Sequence, residues 1–211
     1  NISKRTKLIY LCNPNNPTGS IMETDQLESF CKTMSKKSIV FVDEAYHEYV
    51  THPNYRSMIE LVKEGHNILV SRTASKVHGL AGLRVGFAIT TPEIAKRLES
   101  YLTDSLNIVG LRAAIASYQD KRFQAYSIEQ NNRAKKIITN HLDSKGIEYL
   151  DSQTNFIFIK TGMDINEFQP AMEKNGVIVG RPFPPYNTWC RLSMAKPEEM
   201  GRFIEGFDAL L

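Results

Sequence analysis

The sequence predicts an α/β fold: a partial large domain with a mostly parallel sheet, followed by a smaller α+β domain at the carboxyl end. Short apolar runs alternate with amphipathic segments through residues 6–103, which is typical of layered α/β domains. The apolar runs are nearly continuous, as in parallel strands covered on both faces. Beyond residue 142 strand and helix patterns mix in α+β style. We place the domains at residues 1–110 and at residues 111–211, the latter beginning with a connecting helix.

Each element is predicted from its apolar period and its end signals. Thr24 is expected to cap the first helix, and Gly146 is expected to end the long connecting helix. The predicted strands are 6–11, 38–42, 67–70, 84–90, 147–150, 155–160, 177–179 and 189–194. The predicted helices are 24–36, 57–64, 92–103, 111–142, 164–174 and 197–211.

Composition excludes several classes of function. A net charge of +3, spread along the chain, is too weak to indicate nucleic-acid binding. No apolar run approaches membrane-spanning length, and the five histidines lack metal-ligand spacing, so we expect no membrane and no metal. The three separate cysteines, Cys12, Cys31 and Cys190, suit a reducing, cytoplasmic compartment. The chain begins with Asn1 and runs almost directly into a strand, so we expect that it starts partway through a longer protein.

Two polar loops follow the first two strands. The loop at residues 12–19 holds two prolines and a glycine, with Asn16 directly before Pro17. It is either a functional loop or only a turn. Asp43 and Tyr46 follow the second strand, and carboxylates at such strand ends lie where open α/β sheets bind ligands. Asp43 could instead cap the next helix.

A third loop contains a lysine among small residues. Lys76 lies between strands with Thr73 and Ser75 close before it and Arg84 eight residues after it. Hydroxyls and a planar guanidinium suit a phosphate group. A lysine held among such groups is less hydrated than a surface lysine, which favours the neutral amine that Schiff-base chemistry needs. The alternative is a solvated lysine in an ordinary loop.

The three loops together predict one pocket, because the carboxyl ends of parallel strands meet at the same edge of a sheet. Their groups suit a charged aromatic cofactor. Asp43 can hold a pyridine nitrogen protonated, and Lys76 can carry the cofactor covalently. Asn16 and Tyr46 can hydrogen-bond a phenolic oxygen. The groups that suit a phosphate are Thr73, Ser75 and Arg84.

The motifs of these loops, with one near the carboxyl end, resemble those of a known family. The matching motifs are NPNNPTG at 13–19, VDEAY at 42–46, RTASKVHGLAGLRVG at 72–86, and CRLS at 190–193 followed by PEE at 197–199. Their order and spacing resemble the class I/II aminotransferases of the pyridoxal-phosphate fold type I across essentially the whole chain. Within that family the sequence most resembles the histidinol-phosphate aminotransferase-like group.

The resemblance implies roles for the residues already singled out. Pyridoxal 5′-phosphate is the implied cofactor, with Lys76 as its covalent attachment point and proton carrier and Asp43 as the partner of its ring nitrogen. Asn16 and Tyr46 would contact the ring oxygen, and Thr73, Ser75 and Arg84 the phosphate. The implied substrate-binding residues are Arg191, Arg181 and Asn155. The two arginines could instead form surface ion pairs, and Asn155 could be a structural hydrogen-bonding residue.

The resemblance also implies an activity: transfer of an amino group between an amino acid or an amino alcohol phosphate similar to histidinol phosphate and 2-oxoglutarate. It further implies a place in histidine biosynthesis and a homodimer. An aromatic or other aminotransferase, a pyridoxal-phosphate-dependent decarboxylase or lyase, and a non-catalytic truncated remnant stay open. From the resemblance we also expect that the family's amino-terminal part lies outside this sequence. We therefore expect these 211 residues alone to bind the cofactor weakly, if at all.

Overall fold

The computed structural model describes residues 2–103 and 106–211. It divides into two compact units. The first unit is Asn1–Pro14 with Ile21–Gln124, and the second unit is Asn15–Ser20 with Ala125–Leu211. The domain boundary predicted between residues 110 and 111 stays a prediction. In the part of the chain that the structure describes, no helix combines the length and hydropathy that crossing a bilayer requires.

The first unit contains a four-stranded sheet. Its strands are β1 (Leu8–Cys12), β2 (Ile39–Asp43), β3 (Ile68–Thr73) and β4 (Gly86–Thr90), in that spatial order. The first three strands are parallel and β4 is antiparallel to β3, so the mostly parallel sheet is confirmed. The predicted start of β4 at residue 84 is wrong, because Arg84 has a left-handed backbone (φ 55°) that closes a 3₁₀ turn.

Among the described residues of the first unit, four helices accompany this sheet: α1 (Thr24–Met34), α2 (Ile59–Lys63), α3 (Pro92–Glu99) and α4 (Ile108–Gln119). Residues of α1 and α2 form one core with alternate residues of β2 and β3. Thr24 is not the cap of α1 as predicted. Glu23 occupies that position, and the Thr24 hydroxyl donates instead to the Asn54 carbonyl. The buried members of this core are Leu27, Cys31, Val40, Val42, Met58, Leu61, Val62, Ile68 and Val70.

The predicted helix over 111–142 is two helices. α4 ends at Gln119, and α5 spans Lys121–Ser144. Asp120 between them has a non-helical backbone (φ −81°, ψ 81°), and its Oδ1 accepts a hydrogen bond of 2.9 Å from the Phe123 amide. A side-chain acceptor at this position starts a new helix by satisfying a free amide of its first turn.

The second unit contains an antiparallel sheet in the order β5 (Tyr149–Leu150), β6 (Phe156–Lys160) and β7 (Trp189–Ser193). One face packs on α5, on α6 (Ile165–Lys174) and on α7 (Met200–Asp208), which follows a 3₁₀ turn at Pro197–Glu199. The smaller α+β architecture is confirmed. Its buried core includes Ala134, Ile138, Leu142, Ile157, Ile159, Phe168, Met172, Leu192 and Phe207.

The strand predicted at 177–179 is absent from the described residues. The segment is used to end α6: Val177 N donates to Met172 O (3.0 Å) and Gly176 N to Glu173 O (2.9 Å). Gly176 has φ +77°, the left-handed conformation of this type of helix end. The apolar valines therefore pack beside the core without a strand ladder.

Candidate active site

Asp43 projects from the face of the first sheet that is opposite its core. Val40 and Val42 are buried in the core, and Asp43 points the other way because side chains alternate along a strand. The register places Cys12 of β1 and Ser71 of β3 on either side of Asp43. Both neighbours are small, so large side chains do not crowd the carboxylate at the carboxyl end of β2.

Both oxygens of the Asp43 carboxylate are hydrogen-bonded. Oδ1 accepts from the Ser71 hydroxyl (2.9 Å) and from the Ala45 amide (3.1 Å), and Oδ2 accepts from the Tyr10 hydroxyl (2.8 Å). Desolvation of the hydroxyl and its bond to Asp43 raise the pKa of Tyr10. Three donors from three segments fix the orientation of the carboxylate. Sequence reasoning missed Tyr10 and Ser71, although the strand register alone would have placed Ser71.

Lys76 and Tyr46 lie together in the first unit. Lys76 Nζ is 5.2 Å from the centre of the Tyr46 ring, within the range of a cation–π interaction. Tyr46 is buried and Lys76 is half-buried. The Lys76 amine is therefore close to Tyr46, one of the two residues predicted to contact the ring oxygen of the cofactor.

The residues after Lys76 anchor its loop. Val77 and His78 are almost fully buried, and His78 Nδ1 lies 3.0 Å from Ser117 Oγ on α4. Gly79 N donates to the Lys76 carbonyl at 2.9 Å. Because its neighbours are fixed in this way, the Lys76 side chain starts from a well-defined backbone position.

The three residues predicted for a phosphate are in the same loop and the turn after it. Thr73 Oγ1 accepts from Ser75 N (3.1 Å) and donates to Val85 O (3.3 Å). Arg84 is exposed, and its Nη1 donates to Ala81 O (2.7 Å). The structure thus brings Thr73 and Ser75 into direct contact, whereas Arg84 is bonded to its own turn.

A buried ion pair supports the same strand ends. Glu44 Oε2 accepts from Arg72 Nε (3.0 Å), from Arg72 Nη2 (2.7 Å) and from the Ser57 hydroxyl (2.7 Å), and Glu44 Oε1 accepts from Met58 N (2.8 Å). Glu48 Oε1 lies 3.6 Å from Arg72 Nη1. Sequence reasoning missed this network. The available signal was a pair of opposite charges just after two consecutive predicted strands.

Burial perturbs two ionisable groups beside this pair. It lowers the pKa of His47 to about 4, with the Arg72 charge as a second cause, and it raises the pKa of Glu48. Glu44 Oε2 is 3.8 Å from His47 Nδ1, but it is already bonded to stronger donors. His47 is therefore neutral near pH 7.

Asn16 belongs to the second unit, where it contacts Arg191. Its Oδ1 accepts from Arg191 Nη1 at 2.9 Å. The turn that carries it, Asn15–Ser20, contains Gly19 in a left-handed conformation (φ +74°), and Gly19 O accepts from Gln153 N at 2.8 Å. Any larger residue at position 19 would strain this turn.

Arg181 and Arg191 both pack on aromatic rings of the second unit. The Arg181 guanidinium is 4.1 Å from the centre of the Phe183 ring, and that of Arg191 is 5.1 Å from the same ring and 5.2 Å from Phe156. Arg191 Nε is buried and has no hydrogen-bond partner among residues 2–103 and 106–211. The two arginines therefore share one aromatic platform.

Asn155 directly precedes β6, and its backbone carbonyl accepts from Met194 N at 2.9 Å. The role predicted for its side chain stays a prediction. Four predicted residues thus lie in the second unit and the others in the first. Within the described ranges, no group of three or more His, Cys, Asp or Glu residues is placed to hold a metal ion.

Comparison with known proteins identifies the family. The sequence model described as "Aminotransferase class I and II" matches residues 1–207. Histidinol-phosphate aminotransferase 2 of Hydrogenovibrio crunogenus is 35% identical over 214 residues, covering 100% of this chain and 57% of the relative. Histidinol-phosphate aminotransferase of Moorella thermoacetica is also 35% identical, covering 100% of this chain and 55% of the relative.

Solved structures of aminotransferases have the same fold as this chain. The crystal structure of histidinol-phosphate aminotransferase from Sinorhizobium meliloti in complex with pyridoxal-5′-phosphate superposes with a TM-score of 0.85 at 27% identity, covering 97% of this chain and 58% of that one. Aspartate aminotransferase from Thermus thermophilus with maleate, at 21% identity, shares the fold with a TM-score of 0.85, covering 100% of this chain and 58% of that one. The chain spans about half the length of the curated relatives it matches. It belongs to the class I and II aminotransferase family.

Proposed function

We propose that this chain is the part of a pyridoxal-phosphate-dependent aminotransferase that holds the cofactor and binds the substrate. The reaction moves an amino group between an amine similar to histidinol phosphate and 2-oxoglutarate. The observation that carries this proposal is the Asp43 carboxylate, fixed by three hydrogen bonds at the end of β2 in the unit that also holds Lys76 against Tyr46. The names of the relatives support the substrate class.

The residues of the first unit fit the cofactor by their chemistry. A fixed carboxylate suits a protonated ring nitrogen, and the Lys76 amine suits an aldehyde. The hydroxyls of Thr73 and Ser75, with the Arg84 guanidinium, suit a phosphate. When bound, pyridoxal 5′-phosphate supplies an electron-withdrawing ring that stabilises negative charge at the substrate α-carbon.

Lys76 has two tasks in this proposal. Its Nζ would be the point of covalent attachment, and once released it would carry a proton from the substrate α-carbon to the cofactor carbon. Lys76 Nζ lies 5.2 Å from the centre of the Tyr46 ring. The Tyr46 hydroxyl would donate a hydrogen bond to the phenolic oxygen of the cofactor, and the same role is proposed for the Asn16 amide. Asp43 keeps the ring nitrogen charged through its fixed carboxylate.

Arg191 is proposed to bind the acidic group of the substrate. Its Nε is buried without a partner in the described structure, and a buried N–H donor is stabilised by an incoming acceptor. Arg181 lies exposed on the Phe183 ring and is proposed to meet a second anionic group. Asn155 is proposed to contact the substrate near the start of β6.

The test is an assay of amino transfer. The whole protein, supplied with pyridoxal 5′-phosphate, 2-oxoglutarate and L-histidinol phosphate, is expected to form glutamate, and Lys76→Ala is expected to abolish its formation. Aromatic amino acids are tested as competing donors, and release of carbon dioxide is measured in parallel. Formation of carbon dioxide without glutamate, or no reaction with any donor, contradicts the proposal.

We further propose that the whole protein is a cytoplasmic homodimer that uses small-molecule amino and keto acids. The expectation follows from its family. Sedimentation equilibrium is expected to give twice the mass of one chain, and a single-chain mass over the whole concentration range contradicts the dimer.

A further inference from the structure

Tyr10 reaches Asp43 diagonally across two strands. Cys12 pairs with Asp43 in the β1–β2 register, and Tyr10 lies two residues before Cys12. Alternation therefore puts Tyr10 and Cys12 on the same face as Asp43. Because Cys12 is small, the Tyr10 side chain passes over it, and its hydroxyl donates to Asp43 Oδ2 at 2.8 Å.

The Tyr10 ring is held in this direction by an aromatic contact. It packs edge-on against Phe41, with ring centres 5.2 Å apart and an interplanar angle of 82°. Phe41 is the direct cross-strand partner of Tyr10, so the contact belongs to the strand pairing itself. The pairing of β1 with β2 thus sets the direction of the Tyr10 hydroxyl, although 55% of the residue's surface is exposed.

The two oxygens of Asp43 differ in what they can still accept. Oδ1 receives Ser71 Oγ and Ala45 N, and two donors fill its two lone-pair directions. An additional N–H donor therefore goes to Oδ2. Oδ2 is the oxygen whose position the Tyr10 hydroxyl sets.

We propose that Tyr10 is a positioning residue, whose hydroxyl holds Asp43 Oδ2 in the orientation that accepts the N–H of a protonated cofactor ring nitrogen. This rests on the proposed function, in which Asp43 is the partner of that nitrogen. Tyr10 acts through Asp43 and needs no contact with substrate or cofactor. Outer hydrogen bonds of this kind orient the group that does make contact.

The first experiment needs no cofactor. Tyrosine is labelled with ¹³C at Cζ, a shift that responds to hydrogen bonding by the phenol, and the Tyr10 resonance is assigned by its loss in Tyr10→Phe. Tyr149 is the matched control, because its hydroxyl donates to Asp143 Oδ1 at 3.0 Å in the second unit. Asp43→Asn is expected to shift the Tyr10 resonance alone, and Asp143→Asn the Tyr149 resonance alone. A Tyr10 resonance that does not respond to Asp43→Asn overturns the inference.

The second experiment asks whether the bond serves the ring nitrogen. Calorimetry measures the binding of pyridoxamine 5′-phosphate, which has no aldehyde, and of its 1-deaza analogue, which has no ring nitrogen. Tyr10→Phe is expected to weaken the first ligand about tenfold, the effect of losing one hydrogen bond to a charged group, and to leave the second unchanged. Tyr149→Phe is expected to change neither.

The outcomes separate the inference from the proposed function. Equal weakening of both ligands by Tyr10→Phe makes Tyr10 merely structural and overturns the inference. A wild-type whole protein that binds both ligands equally well, or binds neither, overturns the role of Asp43 in the proposed function. In that case the labelled-tyrosine experiment still decides whether Tyr10 holds Asp43.

Discussion

Replacing Glu44 with Gln tests the buried network that supports the candidate site. The Glu44 side chain is 1% exposed and that of Arg72 is 9% exposed. The carboxylate accepts four hydrogen bonds, two from Arg72 and one each from Ser57 and the Met58 amide. Glutamine keeps the volume, but it removes the negative charge and puts an NH₂ donor where one acceptor oxygen was.

The expected loss of stability is large. Breaking a buried ion pair by removing one partner costs about 3–5 kcal/mol, because a charge is left buried without compensation. Glu48, 3.6 Å from Arg72, keeps part of the compensation, so we expect about 3 kcal/mol. Glu60→Gln is the matched control. Its ion pair with Lys63 is just as short, 2.7 Å, but both side chains are more than 60% exposed, so the expected loss is below about 1 kcal/mol.

The assay is hydrogen exchange at the amides of β2 and β3, which reports the stability of the first unit separately from the second. A global transition would combine two units that need not unfold together. Glu44→Gln is expected to speed exchange at these amides about a hundredfold, and Glu60→Gln less than about fivefold. Equal effects of the two substitutions would refute the reasoning.

Three further predictions concern stability and thiol chemistry. Burial lowers the pKa of His47 to about 4 in the folded protein, against about 6.5 in the unfolded chain. The contribution of the neutral imidazole to stability is therefore present above pH 6.5 and is lost as the pH falls through 4. His47→Gln is expected to flatten the curve of stability against pH between about pH 6.5 and pH 4. Burial raises the pKa of Cys31 to about 11 and of Cys190 to about 12, so a thiol reagent at pH 8 is expected to modify Cys12 first, and equal rates for all three would contradict this. Phe168→Ala, in the fully buried core of the second unit, is expected to cost about 3–5 kcal/mol by urea unfolding followed through tryptophan fluorescence, and a loss below about 1 kcal/mol would show a core that collapses without strain.

Local patterns predicted most of the fold because they coincide with burial. The run at 38–42 has alternate residues sealed in the core, and β2 forms there within one residue of the prediction. The predictions from these patterns were wrong where one polar or apolar residue has a different structural role from the one its pattern indicates. The pattern predicted Asp120 as one more charged residue of a long helix, but its carboxylate caps the start of a second helix, α5. The pattern predicted a strand at Val179, but this segment follows Gly176, whose left-handed backbone ends α6.

The sequence predicted those residues of the candidate site that lie at or directly after the end of a strand. Asp43 ends β2 and Lys76 follows β3, as the sequence indicates, while their roles stay predictions. The supporting contacts were not predictable in the same way. The bond from Tyr10 to Asp43 and the pair of Glu44 with Arg72 depend on which strands are adjacent and in which register, and a single sequence leaves that pairing open.

The measurement that tests the central claim most directly is the visible absorption spectrum of the purified whole protein with added pyridoxal 5′-phosphate, beside that of Lys76→Ala. We predict an absorption band that borohydride removes, that is absent from Lys76→Ala, and that leaves the reduced adduct on the peptide containing Lys76. A band of equal strength in both proteins, or an adduct spread over surface lysines, would contradict the assignment of Lys76 and with it the proposed cofactor site.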